Sequence, residues 1–168
     1  MVVAVLDNNI ETVFTYRSFS LQDTEALAAA IAAVSSAGMV IGLDGDLGAG
    51  KTAFSQGYAR HLGVEGIVNS PTFTIIKEYE GRLPLYHMDV YRISLQEADE
   101  LGLEEYFYGQ GVSLVEWSSI ITDLMPPRHL HIELKTAGPD EREITVTGIG
   151  EPYGEVCRAL IQKWGKER

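Results

Sequence analysis

Short apolar runs of strand length alternate along this chain with segments whose apolar positions recur at helical spacing. Thr12–Phe19 is rich in β-branched and aromatic side chains and predicts a strand. Ser20 follows as a helix N-cap, with Asp23 in the first turn of a helix from Leu21 to about Ser35. Leu27, Ile31 and Val34 share one face of it, and Gly38 marks its exit. Met39–Asp44 is an apolar run that predicts a buried strand. A glycine-rich turn, Gly45–Gly50, then leads into a helix from Lys51 to about Leu62. Further strands are predicted at Thr72–Tyr79, Leu85–Val90 and Val112–Glu116, with one or two short surface helices in the acidic stretch Ser94–Phe107. Pro126-Pro127 marks a loop. Leu130–Lys135 and Arg142–Thr147 alternate like a pair of antiparallel strands joined across Gly138-Pro139-Asp140, and Glu151–Trp164 predicts a C-terminal helix.

Strands interleaved with helices predict an α/β fold, and the final antiparallel pair predicts a mixed sheet. A length of 168 residues fits one domain, with residues 1–11 expected as a loosely ordered N-terminal extension. Hydrophobic residues make up 45% and charged residues 22%, enough apolar surface for a packed core. The net charge of -11 opposes a phosphate backbone, so a stand-alone nucleic-acid binder is disfavoured. The single cysteine, Cys157, rules out an internal disulfide framework and a cysteine-based zinc site. The apolar start Met1–Leu6 lacks a basic flank and meets Asp7 at once, unlike a secretion signal. No apolar run approaches the roughly 20 residues needed to cross a bilayer. The expectation is a cytoplasmic protein with no membrane partner.

Gly45-Asp46-Leu47-Gly48-Ala49-Gly50-Lys51-Thr52 satisfies G-x-x-x-x-G-K-[ST], after an apolar strand and before a helix. Its glycines let the backbone wrap a phosphate, so that successive N–H groups and the helix N-terminus face the oxygens. Lys51 is placed to reach the β and γ phosphates, and the Thr52 hydroxyl to ligate Mg²⁺. A second carboxylate at the end of a neighbouring buried strand is then needed. Glu116 and Asp89 are the two candidates, each ending an apolar run. The guanine-reading tetrapeptide N-K-x-D is absent, and the formal D-x-x-G at Asp99–Gly102 follows acidic helical sequence rather than a strand, so adenine is the expected base.

Two other readings stay open: a small-molecule kinase, and a non-catalytic nucleotide-dependent binding module. A kinase needs an arginine-rich lid, whereas Arg17, Arg60, Arg82, Arg92, Arg128 and Arg142 are scattered singly. His129 and His131 share a strand face without an evident third ligand, so partnered or exposed histidines are expected there. Trp117 and Trp164 are read as packing residues, and Glu97–Glu105 as a solvated face.

Several ordered blocks carry a resemblance beyond the P-loop. They are Ser70-Pro71-Thr72-Phe73-Thr74, His87-Met88-Asp89-Val90-Tyr91-Arg92, Glu104-Glu105-Tyr106-Phe107 and Val115-Glu116-Trp117. In this order and spacing the chain resembles the TsaE family from about Ser20 to Thr147. The resemblance implies a P-loop ATPase in a complex with TsaB and TsaD, supporting N6-threonylcarbamoylation of adenosine 37 in tRNAs that read codons starting with A. The tRNA would be reached only through the complex. It further implies ATP and Mg²⁺ as ligands, with Lys51 on phosphate, Thr52 and Glu116 on the metal, and Asp89 as a second acidic group at metal or water. Asp46, Leu47, Gly48, Ala49, Gly50 and Ala53 would complete the phosphate cradle. Thr72 would lie in a γ-phosphate-sensing segment, and Thr24 and Arg142 would contact the nucleotide. Where the family often carries a second hydroxyl after the P-loop threonine, this chain has Ala53, leaving only its backbone N–H for the α-phosphate.

Overall fold

The computed structural model describes residues 10–69, 71 and 75–165. The elements run β1 (Glu11–Ser18), α1 (Leu21–Ala33), β2 (Val40–Gly45), α2 (Lys51–His61), β3 (Ile76–Tyr79) and β4 (Leu85–Asp89). They continue with α3 (Leu95–Glu100), α4 (Leu103–Phe107), β5 (Val112–Glu116), a 3₁₀ segment (Ser118–Leu124), β6 (His129–Thr136), β7 (Arg142–Ile149) and α5 (Tyr153–Trp164).

All seven strands form one sheet in the order β1-β7-β6-β2-β5-β4-β3. The central block β6-β2-β5-β4 is parallel. Its flanks are antiparallel: β7 and β1 on one side, β3 on the other. The expected mixed sheet and the final hairpin are both present. Strand β2 lies in the middle with Val40 to Asp44 all buried, which is why its sequence reads as a continuous apolar run. Helices α1, α2 and α5 cover one face, against Ile41, Leu43, Leu114 and Ile132. The short α3, α4 and 3₁₀ segments cover the other, around Val40, Met88, Val115 and Phe107. The result is a three-layer α/β fold of the P-loop NTPase type.

Local chemistry explains the element ends. Ser20 Oγ accepts from the Asp23 N–H at 3.1 Å, and Asp23 returns the contact to the Phe19 N–H at 2.9 Å, starting α1 where the sequence predicts. Ser94 and Glu97 form a reciprocal capping box that starts α3 in the acidic stretch. Trp164 packs as expected, 6.1 Å from Phe14 and edge-on to Tyr16 at 5.0 Å between ring centroids.

Four expectations need correction. Helix α1 ends at Ala33, so Val34 sits at its C-cap, 41% exposed, and the buried face is Thr24, Leu27, Ala28, Ile31 and Ala32. Residue 11 does not belong to an extension, because Glu11 pairs with Ile149 in the sheet. Within the described part of the strand predicted over Thr72–Tyr79, Ile75 at φ 67° departs from extended backbone and β3 covers Ile76–Tyr79. The C-terminal helix starts at Tyr153 rather than Glu151. Residues 1–9, and Ser70 and Thr72–Thr74 of the proposed phosphate-sensing segment, lie outside the described residues.

Candidate active site

The C-terminal ends of the parallel strands gather the chemistry on one edge of the sheet, where ligands of open α/β sheets bind. β2 runs directly into the P-loop, and α2 begins at Lys51 with Gly50 as its N-cap. Gly48 at φ 82° and Gly50 at φ 109° hold backbone conformations that L side chains rarely adopt, which accounts for glycine at both positions. Asp46, Leu47 and Gly48 are exposed, while Ala49 is fully buried beneath them.

The Lys51 side chain folds back over the loop. Its ammonium donates to the carbonyls of Gly45 and Asp46, the latter at 3.1 Å, and lies 4.1 Å from the centroid of the Trp117 ring. Burial lowers the Lys51 pKa, and the carboxylates of Glu116, Asp44, Asp89 and Asp46 oppose that shift. One cation thus sits among four acidic groups.

Asp89 and Glu116 stand side by side in register at the ends of β4 and β5, and both are buried. Asp89 Oδ1 accepts from the Tyr91 N–H at 3.0 Å. Glu116 Oε2 accepts from His87 Nε2 at 2.5 Å and from Ser55 Oγ at 3.3 Å. With Lys51, Thr52 and Trp117 these two carboxylates line a cavity of about 600 Å³. Hydroxyl and carboxylate oxygens are hard donors suited to a divalent cation such as Mg²⁺. Among the described residues no three His, Cys, Asp or Glu side chains converge into a complete metal cage.

A second cavity, about 360 Å³, opens on the other side of the loop and brings together Thr24, Ala49, Gly50, Ala53 and Arg142. Residues far apart in sequence thus meet around the P-loop; Thr72 lies outside the described residues. Thr24 shares a hydrogen bond with Ser18 at 2.7 Å. Arg142 donates to the carbonyls of Ala49 at 2.9 Å and Gly48 at 3.3 Å, and to Gly138 and Glu141 in its own hairpin. It ties the β6–β7 hairpin to the P-loop, a role its place in the sequence does not reveal.

Asp44, the last residue before the P-loop, heads another network. Its burial favours the neutral acid, but hydrogen bonds from His131, Ser118 and Ser119 outweigh that and hold its pKa down at about 2. The distances are 2.8 Å to His131 Nε2, 2.6 Å to Ser118 Oγ and 3.1 Å to the Ser119 N–H. His131 is therefore partnered, as expected, and His129 bonds the Pro126 carbonyl at 2.8 Å.

Sequence reasoning missed two participants, and it read the ring of a third, Trp117, as packing although it set that residue beside Glu116 at the strand end. Trp117 is no mere packing residue, because its ring touches Lys51 and stacks obliquely on Tyr91 at 4.5 Å. His87 and Ser55 hold Glu116 from beneath. The period of two in β4 put His87 on the same face as Asp89 and was the available signal.

A family model described as "Threonylcarbamoyl adenosine biosynthesis protein TsaE" matches residues 18–144. The chain is 54% identical over 146 residues to the tRNA threonylcarbamoyladenosine biosynthesis protein TsaE of Bacillus subtilis, covering 86% of this chain and 92% of the relative. It is 42% identical over 130 residues to the protein of the same name from Treponema pallidum, covering 77% and 96%. Its fold is similar to the crystal structure of Bacillus subtilis YdiB, with a TM-score of 0.81 at 48% identity over 92% of this chain and 97% of that one. By sequence and by fold, the chain belongs to the TsaE family of tRNA threonylcarbamoyladenosine biosynthesis proteins.

Proposed function

We propose that this protein is a Mg²⁺-dependent ATPase that drives a step of N6-threonylcarbamoylation of adenosine 37, acting on tRNA through TsaB- and TsaD-type partners. The observation that carries the ATPase part is the buried Lys51 among Asp89, Glu116 and the P-loop backbone, on the wall of a cavity. Family membership carries the tRNA-modification part.

A P-loop works by positioning and by charge stabilisation at an in-line displacement on the γ-phosphate. Lys51 exchanges its bonds to the Gly45 and Asp46 carbonyls for phosphate oxygens, which match an ammonium better than neutral carbonyls do. The loop N–H groups and the start of α2 hold the remaining phosphate charge. Mg²⁺, held by Thr52 with Glu116 or Asp89, would neutralise charge on the phosphates. The other carboxylate accepts a hydrogen bond from the attacking water and orients it. The cavity beside Thr24, Ala53 and Arg142 has room for the nucleoside.

The decisive experiment is phosphate release from ATP, with GTP as comparator, for the protein alone and with its partners plus tRNA. Release that depends on Mg²⁺, prefers ATP and falls by about 10²-fold or more in Lys51→Ala is the expected result. A phosphorylated acceptor in place of free phosphate would instead make the protein a kinase. Nucleotide binding without turnover under every condition would make it a binding module.

A further inference from the structure

On the sheet face covered by α1 and α2, β4 places Leu85, His87 and Asp89 beside Val112, Leu114 and Glu116 of β5. The innermost layer of that column, Leu85 with Val112, is apolar, the middle one sets His87 beside Leu114, and the outermost is the carboxylate pair. His87 is the one polar side chain between them. It is 1% exposed, and its Nδ1 has no hydrogen-bond partner among the described residues. An unsatisfied buried nitrogen is destabilising, so an apolar residue would serve the core better. Among the described residues the imidazole makes one hydrogen bond, Nε2–H to Glu116 Oε2 at 2.5 Å. Ser55 Oγ, from α2, bonds the same oxygen at 3.3 Å. Glu116 Oε1 receives no hydrogen bond from the described residues.

We propose that His87, with Ser55, is a positioning residue that pins Oε2 of Glu116 so that Oε1 is presented to the Mg²⁺ of a bound nucleotide. The inference rests on the ATPase reading above. Two donors on one oxygen stop the carboxylate from rotating. A group fixed before the ion arrives loses less freedom on binding it. Partners of this kind behind a metal ligand typically contribute 10–100-fold in metal affinity. His87 itself touches neither ion nor nucleotide.

The test is calorimetric ADP binding with excess Mg²⁺ and again in EDTA, for the unaltered protein and for His87→Leu, His87→Gln and Ser55→Ala. The quantity read is the factor by which Mg²⁺ tightens ADP. His87→Leu should cut that factor by about 10-fold while the affinity in EDTA changes less than about twofold. His87→Gln keeps an amide N–H within reach of Glu116 and should restore most of the loss. Ser55→Ala, with its longer bond, should cost about twofold to threefold. Should the leucine variant not fold, the glutamine and alanine variants decide the matter: the inference then requires a gain near the unaltered one for the first and a reduced gain for the second. A full Mg²⁺ gain in His87→Leu, or a glutamine variant as poor as leucine, overturns the positioning role alone. Failure of the unaltered protein to bind nucleotide overturns the ATPase reading, and this inference with it.

Discussion

At the scale of single residues, Asp44 shows how much one buried carboxylate beside the P-loop contributes. Its ordinary pKa of 3.8 falls to about 2 in the folded protein, because three donors outweigh its burial. A depressed carboxyl pKa stabilises the fold fully above its unfolded value, and the contribution is lost as pH falls through the folded one. A shift of this size corresponds to roughly 2 kcal/mol. Asp44→Asn should lose about that much stability to urea at pH 7, and the gap to the unaltered protein should narrow between pH 4 and pH 2. A gap that holds constant over this range would show that packing, not charge, sets it. The sequence marked Lys51, Thr52, Asp89 and Glu116 because motif and strand ends are local features. It left Asp44 unmarked, because its partners His131, Ser118 and Ser119 come from beyond β5 in the chain.

At the scale of elements, β2, the P-loop and α2 were legible as a unit: apolar run, glycines and helix follow one another without a gap. The contact between β7 and α5 was not. A Cβ added at Gly148 would stand 2.3 Å from the carbonyl oxygen of Tyr153, the first residue of α5. That neighbour is backbone and cannot rotate away, so strand and helix would have to part. Gly148→Ala is expected to destabilise by about 1–3 kcal/mol and to lower the thermal midpoint by several degrees. Gly148 pairs with Leu130 at the end of the sheet away from the P-loop. Nucleotide affinity measured by calorimetry should therefore stay within about twofold, whereas a larger change would mean that the helix layer is coupled to the site.

For the whole molecule, net charge decides whether the isolated protein can hold tRNA. Non-specific affinity for nucleic acid comes from Lys and Arg neutralising phosphates, with dissociation constants of roughly 10⁻⁴–10⁻⁶ M in proteins built for it. Here the net charge is -11. Several of the cations are also occupied: Arg60 with Glu25, Arg158 with Glu151, Lys135 with Glu133, and Arg142 with loop carbonyls. The isolated protein should show no tRNA binding at micromolar concentration and low ionic strength by anisotropy. Salt-sensitive binding that ignores ATP would reveal a basic surface assembled in three dimensions. Among the described residues no helix is long and apolar enough to cross a membrane.

The sequence by itself determined the α/β class, the P-loop and its helix, the antiparallel final hairpin and the strand-end position of the carboxylates Asp89 and Glu116, since each is written in neighbouring residues or in a period of two. Tertiary structure alone decided the strand order that sets β4, β5 and β2 side by side, and with it the meeting of Asp89, Glu116 and Lys51. It also decided that Trp117 lies against Lys51, that Arg142 ties the hairpin to the loop, and that His87 stands behind Glu116. Those contacts join residues 29 to 94 positions apart. Such pairings arise from which strands share an edge and which side chains fill one layer, and a linear pattern of apolar and polar residues does not encode them.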